Sequence, residues 1–158
     1  MDEIKNYYKN KIILVTGGAG SIGSHLVKEL LKLNPQSIRV LDNNETGLFD
    51  LERNLNSNLI RPFVGDIRDK ERLKRAVEGV EIVFHTAALK HVPLCEYNPF
   101  EAIKTNVIGT QNLIEASIDE NVEKFITIST DKAVNPINVM GATKLLSERL
   151  TISSNYYK

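Results

Sequence analysis

Short apolar runs alternate with longer amphipathic stretches along most of the chain. The apolar runs are rich in Ile, Val, Leu and Phe and lie at 11–16, 37–42, 59–66, 81–88 and 124–130. Their continuous apolar character, in place of a strict alternation of apolar and polar residues, is typical of strands buried on both faces of a sheet. The pattern therefore predicts a sheet of parallel strands.

Helical periodicity appears in the segments between these runs. Helices are predicted at 21–33, 47–56, 69–78, 99–119 and 139–155. The apolar residues of the first helix share one stripe, which comprises Ile22, Leu26, Leu30 and Leu33. Because parallel neighbours need crossover connections of one hand, this succession predicts an α/β fold, with a doubly wound Rossmann-type parallel sheet in three α/β/α layers.

Composition and charge narrow the class of protein. A chain of 158 residues, 42% of them hydrophobic, can bury one core, so we expect one domain. Lys plus Arg and Asp plus Glu both number 20, so a nucleic-acid partner is disfavoured. The single Cys95 cannot form an internal disulfide, has no Cys or His cluster around it to bind zinc, and is interpreted as a packing residue.

The sequence carries no signal for a membrane. No apolar run approaches the roughly 20 residues that span a bilayer, and the N-terminal residues lack the apolar core of a signal peptide. We therefore expect this chain to have no membrane segment and to be cytoplasmic.

The stretch TGGAGSIG at 16–23 is the most specific motif, because it follows a predicted strand and opens a predicted helix. Gly17 and Gly18 permit a tight turn, and Gly20 lets the backbone approach a pyrophosphate without a Cβ in the way. Gly23 allows the helix to pack closely on the strand. A binding site for a dinucleotide is therefore favoured over an ordinary glycine turn.

Two further features support a dinucleotide and bear on its identity. The N–H groups around Ser21 and Ile22 would face the phosphates from the positive end of the helix dipole. Asp42 ends the second strand, where a carboxylate can accept both ribose hydroxyls of NAD but would repel the 2′-phosphate of NADP. NAD is therefore weakly favoured over NADP, and NADP stays open if Arg39 or Arg53 binds that phosphate.

The third and fourth strands also end in candidate cofactor residues. Asp66, in GDIRD, is assigned together with Ile67 to the adenine, whose amino group would donate to the carboxylate. Alternatively, Asp66 caps the following helix. Thr86, Ala87 and Ala88 have small side chains and are predicted to line the floor on which the dinucleotide lies.

The order of these motifs resembles that of the extended short-chain dehydrogenase/reductases that modify nucleotide sugars. Nearly the whole chain follows that order: TGGAGSIG, a strand ending in Asp, GDIRD, HTAA, NPFEAIKTNVIGTQN and STDK. More narrowly, the chain is similar to the CapD-like polysaccharide-biosynthesis proteins, the UDP-N-acetylglucosamine 4,6-dehydratases, in LKHVPLCEYNPFEAIKTN and STDKAVNPINVMGATK. The resemblance implies a lyase that oxidises the sugar at C4 with bound NAD(P), eliminates water across C5–C6 and returns the hydride to C6.

The stretch at 129–144 carries the candidate catalytic residues. Lys132 would remove the C5 proton if its surroundings hold it neutral, and Asp131 would protonate the C6 oxygen if burial raises its pKa. Alternatively, the two form a solvated loop pair after a strand. By resemblance, the Asp-Lys pair is similar to that of the inverting subgroup of these dehydratases.

Met140 stands where the family pattern usually has a tyrosine, and Lys144 follows one helical turn later. By resemblance, the tyrosine takes the proton of the C4 hydroxyl, while the lysine lowers the tyrosine pKa and holds the nicotinamide ribose. A thioether has no ionisable proton, so Met140 cannot be that base. We favour the explanation in which Asp131, Thr130 or a water held by Lys144 replaces the tyrosine. Alternatively, the protein only binds cofactor, or the chain is catalytically impaired.

Other polar residues are assigned supporting roles. Ser129 and Thr130 close the fifth strand beside the nicotinamide. Thr130 either forms a hydrogen bond with the sugar 4-hydroxyl or is a hydroxyl satisfied at the end of the strand. Asn106 resembles the helix asparagine of the family, which is structural or part of a proton relay. Lys90 is placed at the border of the sugar site, whereas His85 is interpreted as a satisfied core histidine.

Nucleotide-sugar dehydratases of this type resemble one another over a longer length than this chain. We therefore interpret residues 1–158 as the NAD(P)-binding Rossmann domain, truncated before the substrate domain, and expect the chain alone to be inactive. A nucleotide sugar is the expected substrate of the full-length protein, and a homodimer is expected through the helices at 99–119 and 139–155. Two rival functions stay open: a 4-epimerase, which needs no acid at C6, and a non-catalytic NAD(P)-binding module.

Overall fold

The computed structural model describes residues 2–157 and contains one parallel sheet. Its strands are β1 (Ile12–Thr16), β2 (Ser37–Asp42), β3 (Ile60–Val64), β4 (Ile82–His85) and β5 (Lys124–Thr127). They lie in the order β3-β2-β1-β4-β5, and every neighbouring pair is parallel. The chain reverses its direction of winding between β1 and β4, which opens a crevice at their carboxyl ends, where doubly wound folds bind ligands. The predicted fold class is confirmed.

The helices of the described residues surround this sheet. The α-helices are α1 (Asp2–Tyr8), α2 (Ser21–Leu31), α3 (Glu45–Leu55), α4 (Lys70–Val77), α5 (Val92–Tyr97), α6 (Pro99–Ile103), α7 (Thr110–Asp119) and α8 (Val139–Ser153). A π-helix joins α6 to α7 at Lys104–Gly109, and 3₁₀ turns lie at Asp131–Ala133 and Ser154–Tyr157. The sequence does not predict α1 and α5, because 7 and 6 residues are too few to show a helical period.

Two apolar cores lie on opposite faces of the sheet. Ile13 and Val15 of β1 pack with Val27 of α2 on one face, and Leu14 packs with Leu113 of α7 on the other. Successive side chains of a strand point to opposite faces, so one continuous apolar run supplies both cores. This arrangement gives the three predicted layers.

Two details of the predicted burial are wrong. β3 is an edge strand in which Ile60 is the buried residue, so much of its surface meets solvent. Of the predicted stripe on the first helix, Leu30 is buried and Leu26 and Leu33 pack against the same core, whereas Ile22 is 58% exposed. Gly23 packs against the backbone of Gly17, and this contact sets the rotation of α2 and turns Ile22 toward the crevice.

A third, smaller apolar cluster joins α5, α6 and α8. It contains Cys95, Ala102 and Met140, which are 1%, 0% and 5% exposed. Cys95 is therefore a packing residue, in agreement with its interpretation. Within residues 2–157, no helix combines the length and the apolar character needed to cross a membrane, and no group of three His, Cys, Asp or Glu side chains is placed to hold a metal ion.

Candidate functional site

The crevice at the carboxyl ends of β1 to β4 forms a cleft with a volume of about 400 Å³. Most of the residues predicted to bind a cofactor line it, namely Gly17, Gly20, Ser21, Ile22, Gly23, Asp42, Asp66, Ile67, Thr86, Ala87 and Ala88. The lining also includes residues that the sequence pattern did not reveal: Leu41, Asn43, Gly65, Arg68, Leu89, Glu101 and Thr105. Several of these adjoin a predicted residue, whereas Glu101 and Thr105 reach the cleft only through the folding of α6 and the π-helix.

The glycine-rich turn between β1 and α2 forms one wall of the cleft. Gly17 has a φ of +66°, and a Cβ at this position would lie 2.6 Å from the backbone nitrogen of Ala87. Gly20 is the N-cap residue of α2, and no side chain of the described residues caps this helix. The first-turn N–H groups of Ser21 and Ile22 are therefore at the cleft, at the positive end of the helix, and are suited to an anion.

Gly18 packs the turn against the sheet. A Cβ on Gly18 would collide with Cγ1 of Val40 in β2, and Gly18 is not among the residues that line the cleft. The absence of a side chain at Gly18 lets the turn pack on the sheet, which agrees with its predicted part in the tight turn, and a contact of Gly18 with the cofactor stays a prediction. Gly23 serves helix packing, because a Cβ there would collide with the carbonyl oxygen of Gly17.

Asp42 is held in the wall of the cleft by two backbone groups. Its Oδ2 accepts a hydrogen bond from the backbone nitrogen of Ala19 at 2.9 Å, and its Oδ1 accepts one from that of Asn44 at 3.0 Å. A carboxylate offers about four acceptor positions, so two remain for other donors. The orientation of the carboxylate is thus fixed before any ligand binds.

The two arginines considered as phosphate ligands lie elsewhere. Arg39 donates to the carbonyl oxygens of Ala76 at 2.9 Å and Glu78 at 2.7 Å, at the end of α4. The partial negative charge of the helix terminus holds the guanidinium there. Arg53 lies on α3 beside Phe49, in a separate surface depression. Neither arginine is among the residues that line the cleft.

Asp66 lines the cleft but is already paired. Its Oδ2 accepts a hydrogen bond from Nη2 of Arg68 at 2.6 Å, and Nη1 of Arg68 donates to Glu101 at 2.8 Å. The hydrogen bond from Arg68 is the largest cause that lowers the pKa of Asp66. The alternative role as a helix cap is wrong, because Asp69 caps α4 by accepting from the backbone nitrogen of Arg72 at 3.0 Å.

Residues 86–88 form the floor of the cleft. Oγ1 of Thr86 donates to the carbonyl oxygen of Thr16 at 2.7 Å, which fastens the floor to β1. Asn106 is 1% exposed and lies below the floor, where its Oδ1 accepts from the backbone nitrogen of Leu89 at 2.7 Å and its Nδ2 donates to the Leu89 carbonyl at 2.9 Å. Asn106 therefore anchors the floor and does not line the cleft itself.

The residues predicted to be catalytic lie at the end of β5 and the start of α8, outside the lining of the cleft. They are Thr130, Asp131, Lys132, Met140 and Lys144, and Ser129, which is predicted to contact the cofactor, lies beside them. Nζ of Lys144 donates to the carbonyl oxygen of Ile128, and burial lowers the pKa of this lysine. Gly141 of α8 packs so closely on the Lys132 carbonyl that a Cβ would collide with it, which holds loop and helix together.

Asp131 and Lys132 do not have the surroundings that their predicted roles require. The Asp131 side chain is 89% exposed and lies 3.7 Å from Nζ of Lys132, whose side chain is 51% exposed. A 2.9 Å hydrogen bond from Oγ1 of Thr130 is the largest cause that lowers the pKa of Asp131, followed by the charge of Lys132. The expected rise of the Asp131 pKa by burial is therefore wrong for this chain, and the pair has the geometry of a solvated loop.

Met140 faces the apolar interior. Its side chain is 5% exposed and belongs to the cluster with Cys95 and Ala102. A flexible thioether fills an irregular gap of this kind well. The thioether in the tyrosine position thus packs α8 against α5 and α6.

His85 is a buried histidine with both ring nitrogens hydrogen-bonded. Nδ1 lies 2.7 Å from Oγ1 of Thr16, and Nε2 lies 2.9 Å from Oγ1 of Thr110. Burial, and to a smaller extent the charge of Lys144, lowers the pKa of His85 to about 3. The ring is neutral at physiological pH, and its interpretation as a satisfied core histidine is confirmed.

The fold, the glycine turn and the cleft define a Rossmann-type nicotinamide-dinucleotide-binding domain of the short-chain dehydrogenase/reductase class. Comparison with known proteins narrows this class. The chain belongs to the polysaccharide biosynthesis protein family, whose profile matches residues 13–158.

Curated relatives are similar to nearly all of the chain. An uncharacterized membrane protein from Methanocaldococcus jannaschii is 76% identical over 156 residues, which are 99% of this chain and 47% of that protein. An inverting UDP-N-acetylglucosamine 4,6-dehydratase from Campylobacter jejuni is 48% identical over 94% of this chain and 45% of its own length. A UDP-glucose 4-epimerase from Rickettsia prowazekii is 42% identical over 92% of this chain and 44% of its own length. The chain spans about half the length of the curated relatives it matches.

Solved structures agree with the fold. The structure of Pen from Bacillus thuringiensis matches with a TM-score of 0.92 and 43% identity, over 95% of this chain and 46% of that one. DesIV from Streptomyces venezuelae, a dTDP-glucose 4,6-dehydratase solved with NAD and TYD bound, matches with a TM-score of 0.84 and 30% identity, over 92% of this chain and 52% of that one. These matches show the Rossmann-type fold of the short-chain dehydrogenase/reductases.

Proposed function

We propose that this chain is the cofactor-binding part of a nucleotide-sugar 4,6-dehydratase that acts on UDP-N-acetylglucosamine in surface polysaccharide biosynthesis. The observation that carries the proposal is the cleft, where an uncapped helix N-terminus, a fixed carboxylate and a floor of small residues converge. A nicotinamide dinucleotide fits these residues, because Gly20 has no side chain where a pyrophosphate would lie and Asp42 retains acceptor positions for ribose hydroxyls. A bound nicotinamide would supply the acceptor for the hydride of sugar C4 and the donor of that hydride to C6.

NAD is the proposed cofactor. A 2′-phosphate beside Asp42 would meet a carboxylate of like charge, whereas Arg39 is hydrogen-bonded at the end of α4 and Arg53 lines a separate depression. Arg68 does line the cleft, but its guanidinium is paired with both Asp66 and Glu101. These charges support NAD over NADP.

Substitution of Asp42 by Asn is expected to weaken NAD binding by about 10- to 100-fold, because a hydrogen bond to a charged acceptor contributes about 1.5–3 kcal/mol. Removal of the like charge should also reduce the preference for NAD over NADP. Titration calorimetry with both cofactors measures these effects. Asp50→Asn, on the exposed surface of α3, is the matched control. Unchanged affinities of Asp42→Asn for both cofactors would show that Asp42 does not contact the ribose.

The proposed chemistry places the proton transfers in the loop at 129–132 and in α8. Lys132 removes the C5 proton, Asp131 protonates the C6 oxygen, and Nζ of Lys144 orients the nicotinamide ribose. The side chains of Lys132 and Asp131 are solvated in this chain, so their roles require that the substrate or further parts of the protein exclude water from them. For this reason we propose that residues 1–158 alone do not turn over.

A replacement for the missing tyrosine is part of the proposal. Met140 is buried among apolar side chains and has no proton to exchange. Oγ1 of Thr130 donates to Oδ1 of Asp131 at 2.9 Å, so a proton from the C4 hydroxyl can pass through Thr130 to that carboxylate. The Thr130–Asp131 pair is therefore the proposed base for oxidation at C4.

Mass spectrometry of the full-length protein incubated with UDP-N-acetylglucosamine tests the proposal, with loss of one water as the expected result. Asp131→Asn and Lys132→Met in that protein should each reduce elimination by about 100-fold or more, the usual contribution of an acid or base. Asp119→Asn, at the exposed end of α7, is the control. A product of unchanged mass would favour the 4-epimerase, and cofactor binding without any conversion would favour the non-catalytic module.

We also propose that the full-length protein is a cytoplasmic homodimer. The support is an exposed apolar surface on the helices at 99–119 and 139–155, which includes Phe100 at 77%, Ile103 at 42% and Leu146 at 50% exposure. Apolar surface of this kind is often covered by a partner. A monomeric mass in sedimentation equilibrium would exclude the dimer.

A further inference from the structure

A continuous chain of buried polar side chains runs below the floor of the cleft, from β1 to α8. We call it the buried polar chain, and its members are Thr16, His85, Thr110, Asn106, Thr143 and Ser147, which are all between 0% and 2% exposed. Polar groups at such depth are costly unless they are hydrogen-bonded. Hydrogen bonds connect each of these six residues to another member, so the buried polar chain is one continuous network.

The donors in the buried polar chain have one consistent direction. Oγ1 of Thr110 donates to the backbone carbonyl of Asn106 at 2.6 Å, and a hydroxyl has only one hydrogen to donate. In the 2.9 Å contact with His85, Thr110 must therefore accept, so Nε2 of His85 carries the hydrogen. Nδ1 of His85 then accepts from Oγ1 of Thr16 at 2.7 Å. The geometry thus selects one tautomer of a neutral imidazole.

The buried polar chain is hydrogen-bonded at two points to the loop that follows β4. At one end, Oγ1 of Thr16 accepts from the backbone nitrogen of Ala87 at 3.4 Å. At the other end, Asn106 pairs with both backbone groups of Leu89 at 2.7 and 2.9 Å. The loop that forms the floor of the cleft is therefore hydrogen-bonded at Ala87 and at Leu89, and His85 connects these two contacts through Thr16 and Thr110.

The buried polar chain also reaches α8. Nδ2 of Asn106 donates to Oγ1 of Thr143 at 3.0 Å, and Oγ of Ser147 donates to the Asn106 carbonyl. Asn106 lies in the π-helix, a form often found at functional sites, and its carbonyl oxygen accepts from two side chains here. Thr143 directly precedes Lys144, so the network joins the cleft floor to the helix that bears this lysine.

We propose that His85, in its Nε2–H tautomer, is a positioning residue that fixes the cleft floor relative to α8 and thereby sets the affinity for the dinucleotide. The proposal rests on the proposed function for the identity of the ligand. An apolar side chain would fill the same space beside Phe125 but would leave the Thr16 and Thr110 hydroxyls without these partners. The bonds of the ring, and not only its volume, are what hold the floor.

Paired substitutions on both sides of the ring test the proposal on the 158-residue chain. Thr16→Val and Thr110→Val keep the shape of the side chain but remove a partner of His85, and each should weaken NAD binding about tenfold. Thr16→Ser and Thr110→Ser retain the hydroxyl and should retain the affinity. Ser117→Ala removes another buried hydroxyl, which among residues 2–157 donates to the Leu113 carbonyl and to no member of the buried polar chain, and should leave NAD binding unchanged.

Nitrogen-15 NMR of the free chain tests the tautomer without any ligand. The expected result is one protonated nitrogen, Nε2, and faster amide exchange at Ala87 and Leu89 in both valine variants. An Nδ1–H tautomer in the wild-type chain would overturn the proposal, as would wild-type NAD affinity in both folded valine variants. If the wild-type chain binds no NAD, the proposed function fails, whereas the tautomer and the amide exchange still decide whether His85 positions the floor.

Discussion

Substitution of Gly17 by Ala is expected to lower the free energy of unfolding by about 2–5 kcal/mol and to weaken NAD binding by at least about 100-fold. The left-handed φ of +66° costs an L-residue about 1–2 kcal/mol. The new Cβ would also lie 2.6 and 2.7 Å from the backbone nitrogen and Cα of Ala87, which cannot move as freely as a side chain. Such overpacking costs about 1–3 kcal/mol more and displaces the cleft floor.

Gly79 provides a matched control for this substitution. Its φ is +67°, but a Cβ on Gly79 would have no heavy atom within 4 Å. Gly79→Ala should therefore show only the backbone cost of about 1–2 kcal/mol and bind NAD like the wild type. Urea unfolding and NAD titration of both variants separate backbone strain from the collision with the floor. Equal destabilisation of the two variants would show that the contact with Ala87 is unimportant.

The second large effect is a loss of stability in acid caused by His85. The pKa of His85 is about 3 in the folded chain, and the ordinary value is 6.5. Below pH 6.5, the imidazole therefore binds a proton in the unfolded chain but stays neutral in the folded one. Stability is therefore fully present above pH 6.5 and falls as the pH decreases toward 3. At about 1.4 kcal/mol per pKa unit, the full loss is about 5 kcal/mol. The charge of Lys144, which faces the ring from α8, acts in the same direction.

Chemical denaturation at several pH values between about 5 and 7.5 isolates this contribution. Carboxylates with a lowered pKa, such as Asp66 and Glu101, also destabilise the fold in acid, but their ordinary values are 3.8 and 4.5. His85→Gln should remove most of the slope in this window, whatever its effect on absolute stability. His25→Gln, on the exposed face of α2, should keep the slope. A slope that survives in His85→Gln would place the titrating group elsewhere.

The fold and the glycine side of the cleft could be predicted because their signals are local. Continuous apolar runs report burial on both faces, and the glycines follow a strand and open a helix within a few residues. The same locality explains why the positions of Asp42, which ends β2, and of Thr86, which directly follows β4, could be predicted. Strand ends meet at one edge of a parallel sheet, so their positions in the sequence are enough to bring them together.

The remaining features depend on contacts between distant elements. The exposure of Asp131 and the burial of Met140 follow from how α5, α6 and α8 pack, which no spacing in the sequence reports. The pairing of Arg68 with Glu101 likewise joins the loop after β3 to α6. The exposure of Ile22 has the same origin, because the contact of Gly23 with the preceding turn decides which face of α2 is buried. Tertiary packing thus overrides local patterns at these positions.

The close approach of Gly141 to the Lys132 carbonyl restricts how new chemistry can arise on this scaffold. A side chain larger than hydrogen at position 141 would push the loop that contains Lys132 away from the helix that carries Lys144. An engineer who wishes to graft another reaction onto the family should therefore exchange loop and helix as one cassette, with the glycine retained, and should not vary either part separately.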